Sequence, residues 1–152
     1  MKNSIFERRA RRRFVAAFVS AMALFSTAGT AAAADFQIIV NSANPVQAVT
    51  KEQVARSFMK KIKKWDNGSS VVPVDQTANL PVRDAFSKAI HGRATRAIVA
   101  AWQQEIFAGR EIPPAEKSGD AAVIAFVKAN PGAIGYVASF SPTEGVRVVD
   151  VR

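Results

Sequence analysis

The sequence predicts a single α/β domain with a mixed sheet of about four or five strands and helices on both faces. Three observations lead there. Residues 120–137 read as a helix, an abrupt stop and a buried strand. Short apolar runs elsewhere alternate with stretches of helical periodicity. The chain length left after an export segment suits one core and not two.

Taken in order, the chain opens with an export signal. Lys2, Arg8, Arg9, Arg11, Arg12 and Arg13 form a charged region, and residues 14–25 form an apolar one. Ala32-Ala33-Ala34 then offers a small-residue cleavage site before Asp35. Arg11-Arg12-Arg13-Phe14 also fits a twin-arginine signal, so both that route and the general secretory route stay open. The expected organisation is therefore a signal peptide over residues 1–34 and one domain over residues 35–152, periplasmic or secreted. No cysteine occurs, which excludes a disulfide framework, a thiolate nucleophile, a cysteine-ligated metal and lipid attachment after the apolar run; no stable membrane anchor is expected. Six of the 21 basic residues and one of the 12 acidic ones lie in residues 1–34, leaving 15 against 11 and a net charge of +4. The formal +9 is thus mostly targeting, and the remainder is compatible with anionic partners without requiring one.

Phe36-Gln37-Ile38-Ile39-Val40 reads as a buried strand, and Asn41 to Pro45 as the loop after it. Thr50 with Gln53 forms a capping box and Val49 with Val54 a hydrophobic staple, which start a helix running through Phe58 and Met59. Lys60, Lys61, Lys63 and Lys64, interleaved with Ile62 and Trp65, have two readings: a patch for nucleic acid or an acidic membrane, or lysines that complement a helix C-terminus while Ile62 and Trp65 fold onto the core. The second is expected, and no nucleic-acid partner is, since an exported protein rarely meets nucleic acid. Val71 to Val74 reads as a strand with Pro73 near its end.

Pro81 opens a helix with Val82, Phe86, Ala89 and Ile90 on one face, closed by His91-Gly92. Ile98, Ala101, Trp102 and Ile106 share the face of a second helix ended by Gly109, and residues 110–119 form a loop. In the helix of residues 120–129, Val123, Phe126 and Val127 recur at helical spacing. Asn130-Pro131-Gly132 must stop it. In the next strand Ile134 and Tyr136 point to one face and Ala133, Gly135 and Val137 to the other; with neither face polar, a central, doubly covered position is expected. Gly135 there suggests a backbone or ligand approaching closely. Residues 146–151 form a last strand.

Catalytic signatures are missing. His91 is the only histidine, beside a helix-ending glycine and far in sequence from any carboxylate cluster, so a solvent-facing position is expected and not a metal site or triad. No phosphate-cradling glycine motif occurs. No enzyme activity, cofactor or metal is expected. One constellation carries binding chemistry: Asp75 to Arg83, between a strand's end and a helix's start, where helix N-termini offer unpaired N–H groups to anions. Gln76, Thr77, Asn79 and Arg83 are the candidate ligand-binding residues. The competing reading is that Asn79 caps the helix and Arg83 pairs with a nearby acid.

Ile38-Ile39-Val40-Asn41, Lys61-Ile62-Lys63-Lys64-Trp65-Asp66, Arg83-Asp84-Ala85-Phe86, Trp102, Ile124-Ala125-Phe126-Val127 and Pro131-Gly132-Ala133-Ile134-Gly135-Tyr136-Val137 together resemble the middle part of the periplasmic phosphate-binding protein of ABC phosphate transporters. The resemblance implies one lobe of a type II periplasmic binding protein, a family in which two α/β lobes close on phosphate. It also implies a non-enzymatic solute-binding role in phosphate or other oxyanion uptake. The family's Arg-x-Asp-x-Ser-Gly-Thr loop would fall after Val74, where Asp75-Gln76-Thr77-Ala78-Asn79 stands instead, and Asp75 would repel an anion. Weak binding is therefore expected. The alternative is an interaction or sensor module that kept the lobe and lost the ligand, with a homodimer or an envelope protein covering the surface near Thr77–Arg83 and Lys117–Asp120.

Overall fold

The structure, a computed structural model, describes residues 35–152; the signal peptide expected over residues 1–34 lies outside them. The described residues form an α/β fold whose single sheet runs in the order β2-β6-β1-β5-β3-β4. The strands are β1 (Phe36–Asn41), β2 (Ala48–Val49), β3 (Val72–Gln76), β4 (Ala115–Lys117), β5 (Ala133–Ala138) and β6 (Val146–Val151). The helices are α1 (Lys51–Phe58), α2 (Pro81–His91), α3 (Thr95–Phe107) and α4 (Asp120–Ala129). The sheet is mixed, as expected: β1 is antiparallel to β5 and β6, whereas β3 runs parallel to β4 and β5, and β2 parallel to β6.

Alternation along the strands divides the core in two. Ile38, Val40, Ile134, Tyr136 and Val149 face α1 and α2, packing on Val54, Phe58, Val82, Phe86 and Ile90. Ile39, Val74, Ala133 and Val137 face the other way, onto Val123 and Val127 of α4. The strand β5 lies between β1 and β3 with all six residues buried, the central position its two apolar faces call for. The start of α1 is also as the residues dictate: Gln53 N donates to Thr50 Oγ1 at 3.1 Å and Thr50 N to Gln53 Oε1 at 2.8 Å, while Val49 and Val54 are both buried.

Several elements differ from the expectation, each for a local reason. The sheet has six strands because two short ones sit at its edges; β2 has two residues and β4 three, too few for alternation to register. The strand β3 continues through Asp75 and Gln76, so Pro73 lies near its start. The strand β1 includes Asn41, whose buried amide donates to Val127 O at 2.8 Å and Lys128 O at 2.9 Å and so caps the C-terminus of α4. The helix α1 ends at Phe58, and Lys60 adopts φ +53°, so the four lysines lie in the turn beyond the helix and not along its last turn. Ile106 is 48% exposed despite sharing the face of Ile98 and Trp102. The close approach at Gly135 comes from side chains: a Cβ there would lie 2.8 Å from Val123 Cγ1 and 2.9 Å from Val74 Cγ1.

The segment after α1 closes onto the sheet through Gly132, whose carbonyl accepts from Trp65 Nε1 at 3.0 Å and from Val72 N at 3.0 Å. A Cβ on Gly132 would collide with the carbonyl of Ser70, which explains a residue without one at this position.

Candidate functional site

The strands β3 and β5 are parallel, so Gln76 and Ala138 end them on the same edge of the sheet, where the N-termini of α2 and α4 also arrive. That edge is where an open α/β sheet gathers ligands.

Arg83 is the third residue of α2, and its side chain turns inward, 2% exposed. Its guanidinium meets the Asp75 carboxylate of β3, itself 5% exposed, and lies 3.4 Å from the Tyr136 hydroxyl. A buried guanidinium is tolerated only with such a partner. Tyr136 in turn donates its hydroxyl proton to Asp75 Oδ1, which also accepts from Gln76 N at 2.9 Å. Burial pulls the Arg83 pKa below its ordinary value, and burial pushes the Tyr136 phenol up, so the phenol stays protonated and donating. The Tyr136 ring stacks on Phe86 with centroids 3.9 Å apart and planes within 4°.

A second carboxylate sits one layer further out. Asp120, the first residue of α4, accepts from Gln76 Nε2 at 2.7 Å, from Ala138 N at 3.0 Å and from the Ser141 hydroxyl. Gln76 Nε2 also donates to Tyr136 O at 3.0 Å, which fixes its amide with the nitrogen toward the two acceptors. Asp120 is thus a negative group at a helix N-terminus that collects a backbone N–H and a hydroxyl, the donor types that also hold oxyanions. Among the described residues only Arg83 Nε and Gln76 Oε1 of this network are buried without a partner.

Of the four candidate binding residues, the structure brings Gln76 and Arg83 together around Tyr136 and leaves the other two outside. Thr77 is half-buried, its backbone N–H donating to Lys117 O at 3.1 Å, and Asn79 is exposed in the turn before α2. Leu80, not Asn79, is the N-cap of α2, with no side-chain bond. Sequence reasoning missed Asp120, Tyr136 and Ser141 as members of the network. The available signal was Tyr136 itself, a polar tip in an otherwise apolar strand that needs a buried partner.

His91 is half-buried and not solvent-facing: its ring meets Phe86 edge-on at 5.6 Å. Burial, with Arg83 and Arg93 nearby, lowers its pKa to about 4. Among the described residues no group of three potential ligands could hold a metal ion.

Over the network lies an open cavity of about 350 Å³, walled by Leu80, Pro81, Val82, Ala138 and Phe140, with Gln76 and Asp120 at its polar side. Phe140 is 88% exposed. The edge is therefore apolar at its rim and acidic at its base.

Solved structures share this fold. An ABC-type phosphate transport receptor from Vibrio cholerae superposes with a TM-score of 0.60 at 20% identity, over 77% of this chain and 46% of that one. A putative phosphate ABC transporter substrate-binding protein with bound phosphate from Clostridium perfringens gives 0.61 at 21%, over 77% and 44%. A possible phosphate binding protein from Planctomyces limnophilus gives 0.59 at 15%, over 78% and 41%. At these identities the likeness is one of fold, and the chain matches less than half the length of each. No curated protein matches the sequence. The family profile described as PBP superfamily domain matches residues 24–151, and the chain belongs to that superfamily.

Proposed function

We propose that this chain is an exported, non-enzymatic binding module of the phosphate-receptor type, linked to phosphate or other oxyanion uptake, that holds a free oxyanion only weakly. The similar structures are described as phosphate receptors, which supports the substrate class. The observation that carries the weak binding is the pairing of Arg83 with Asp75 and of Gln76, Ala138 and Ser141 with Asp120. An incoming anion has to displace or sit beside two internal carboxylates. A helix end and one arginine contribute about 1–3 kcal/mol, far short of the roughly 8 kcal/mol that micromolar affinity requires. Calorimetry with phosphate and sulfate tests this: heats fitting millimolar to high-micromolar dissociation constants support it, and submicromolar affinity for either anion sinks it.

A second reading draws on a different observation, the apolar cavity beneath the exposed Phe140 ring. It makes the same edge a contact surface for a second copy or an envelope protein. Light scattering across a concentration series separates the possibilities. A stable dimer, or a monomer that captures one specific envelope protein through Phe140, favours this reading; a monomer indifferent to Phe140→Ser removes it.

A further inference from the structure

At the opposite end of the sheet, we propose, the turns that follow α1 and α3 form one docking surface for an anionic lipid membrane. Lys63 Nζ donates to Glu111 Oε2 at 2.8 Å and Lys60 Nζ lies 3.8 Å from Glu111 Oε1, which joins residues 59–64 to residues 105–112. Trp65 anchors the first turn to Gly132, just before β5 begins. The patch therefore sits where β3 and β5 start, away from the Arg83 and Asp120 network where they finish.

Two features coincide there. Phe107 is 88% exposed, Ile112 66% and Ile106 48%, three of the largest exposed apolar side chains in the described residues. The two linked turns carry five cations, Lys60, Lys61, Lys63, Lys64 and Arg110, against three carboxylates, Asp66, Glu105 and Glu111. Two of the three are already engaged, Glu111 by Lys60 and Lys63, and Glu105 by Arg110 at 2.9 and 3.1 Å. Lys61 and Lys64 are exposed and form no ion pair among the described residues.

The apolar group is held out by structure. Gly109 closes the end of α3 at φ +64°, with Gly109 N donating to Ile106 O at 2.9 Å and Arg110 N to Glu105 O at 3.1 Å. Phe107 is thus fixed, exposed, at the start of a hydrogen-bonded turn that leads into Arg110 and the linked lysines. A protruding aromatic flanked by surplus positive charge suits shallow insertion at the headgroup boundary, where apolar burial and attraction to anionic lipid add and neither alone suffices. No described helix is long and apolar enough to cross a membrane, and the attachment proposed is peripheral. It would leave the edge with Phe140 pointing away from the bilayer. The inference does not rest on phosphate binding.

The test is co-sedimentation of the protein, isolated from its native compartment, with phosphatidylcholine vesicles with and without phosphatidylglycerol. Partitioning onto the anionic vesicles alone, weakening as salt rises, is expected. Lys61→Glu and Lys64→Glu should each weaken it by about fivefold or more, and Phe107→Ser by about fivefold. All three positions are exposed, so folding, followed by circular dichroism, should not change. Arg96→Glu, roughly 16 Å along α3 from Phe107, makes the same charge change beyond the screening length and should cost less than about twofold. No partitioning at low salt overturns the proposal. So does binding that survives all three substitutions, or an Arg96→Glu loss equal to that of Lys61→Glu.

Discussion

Arg83 and Asp75 form an ion pair inside the fold, one from the first turn of α2 and the other from β3, with 2% and 5% of their side chains exposed. Two charges have left water and depend on each other and on Tyr136. Replacing one alone strands the other. Asp75→Ala is expected to cost about 3–5 kcal/mol, whereas Asp75→Leu with Arg83→Met should recover much of the loss. Urea denaturation of the single and double variants checks this; a single variant as stable as the wild type would mean that the charges are hydrated.

Gly135 lies under α4 without room for a methyl group, 2.8 Å from Val123 Cγ1 at the ideal Cβ position. The φ of this glycine is not positive, so the effect of a substitution is packing and not backbone strain. Gly135→Ala should destabilise by about 1–3 kcal/mol, and Val123→Ala in the same chain should return part of it. If the double variant is only the sum of the two losses, the contact with Val123 is not the cause.

His91 links stability to pH. Its pKa is depressed to about 4 in the fold against 6.5 for the ordinary group. The unfolded chain binds the proton first as pH falls, so this contribution is present above about 6.5 and is lost as pH drops toward about 4. Discounted for the partial exposure of the ring, the loss is about 1–2 kcal/mol. His91→Gln should flatten the stability profile between about pH 5 and 6.5, below which carboxylates begin to dominate. Parallel profiles for the two proteins would contradict it.

Cleavage after Ala34 is expected from the charged, apolar and small-residue order of residues 1–34. Intact mass of the protein from its native compartment should correspond to a chain beginning near Asp35. A mass that includes the arginine-rich start would refute export with processing.

Hydrophobic periodicity located α1, α2, α4 and the long strands because each buries an apolar face, and the paired faces of β5 placed it at the centre. The resemblance was also physical: its Lys-Lys-Trp-Asp and Pro-Gly-Ala-Ile-Gly-Tyr blocks touch, through Trp65 and Gly132. What periodicity could not show is a polar residue satisfied from far along the chain. Asp75 and Gln76 look like loop residues, yet they complete β3 because Tyr136, 61 residues from Asp75, and Asp120, 44 residues from Gln76, supply their partners. Gln76 and Arg83 stood out as candidate binding residues by type and place, with an acid beside Arg83 as the competing reading; that this acid is Asp75, and that Gln76 reaches Asp120, was not legible. The exposure of Ile106 and Phe107 escaped for the opposite reason, since apolar residues at a helix end look the same whether covered or bare.

The central claim is that internal carboxylates stand where an oxyanion would bind. Removing one should make room. Phosphate calorimetry on Asp120→Ser, with the wild type beside it, tests this most directly, because the substitution frees Ala138 N, the Ser141 hydroxyl and Gln76 Nε2 while leaving the buried Arg83–Asp75 pair intact. The account predicts millimolar to high-micromolar affinity in the wild type and a gain of about tenfold in the variant, the removal of one unfavourable charge. Submicromolar phosphate binding by the wild type, abolished in Asp120→Ser, would contradict it.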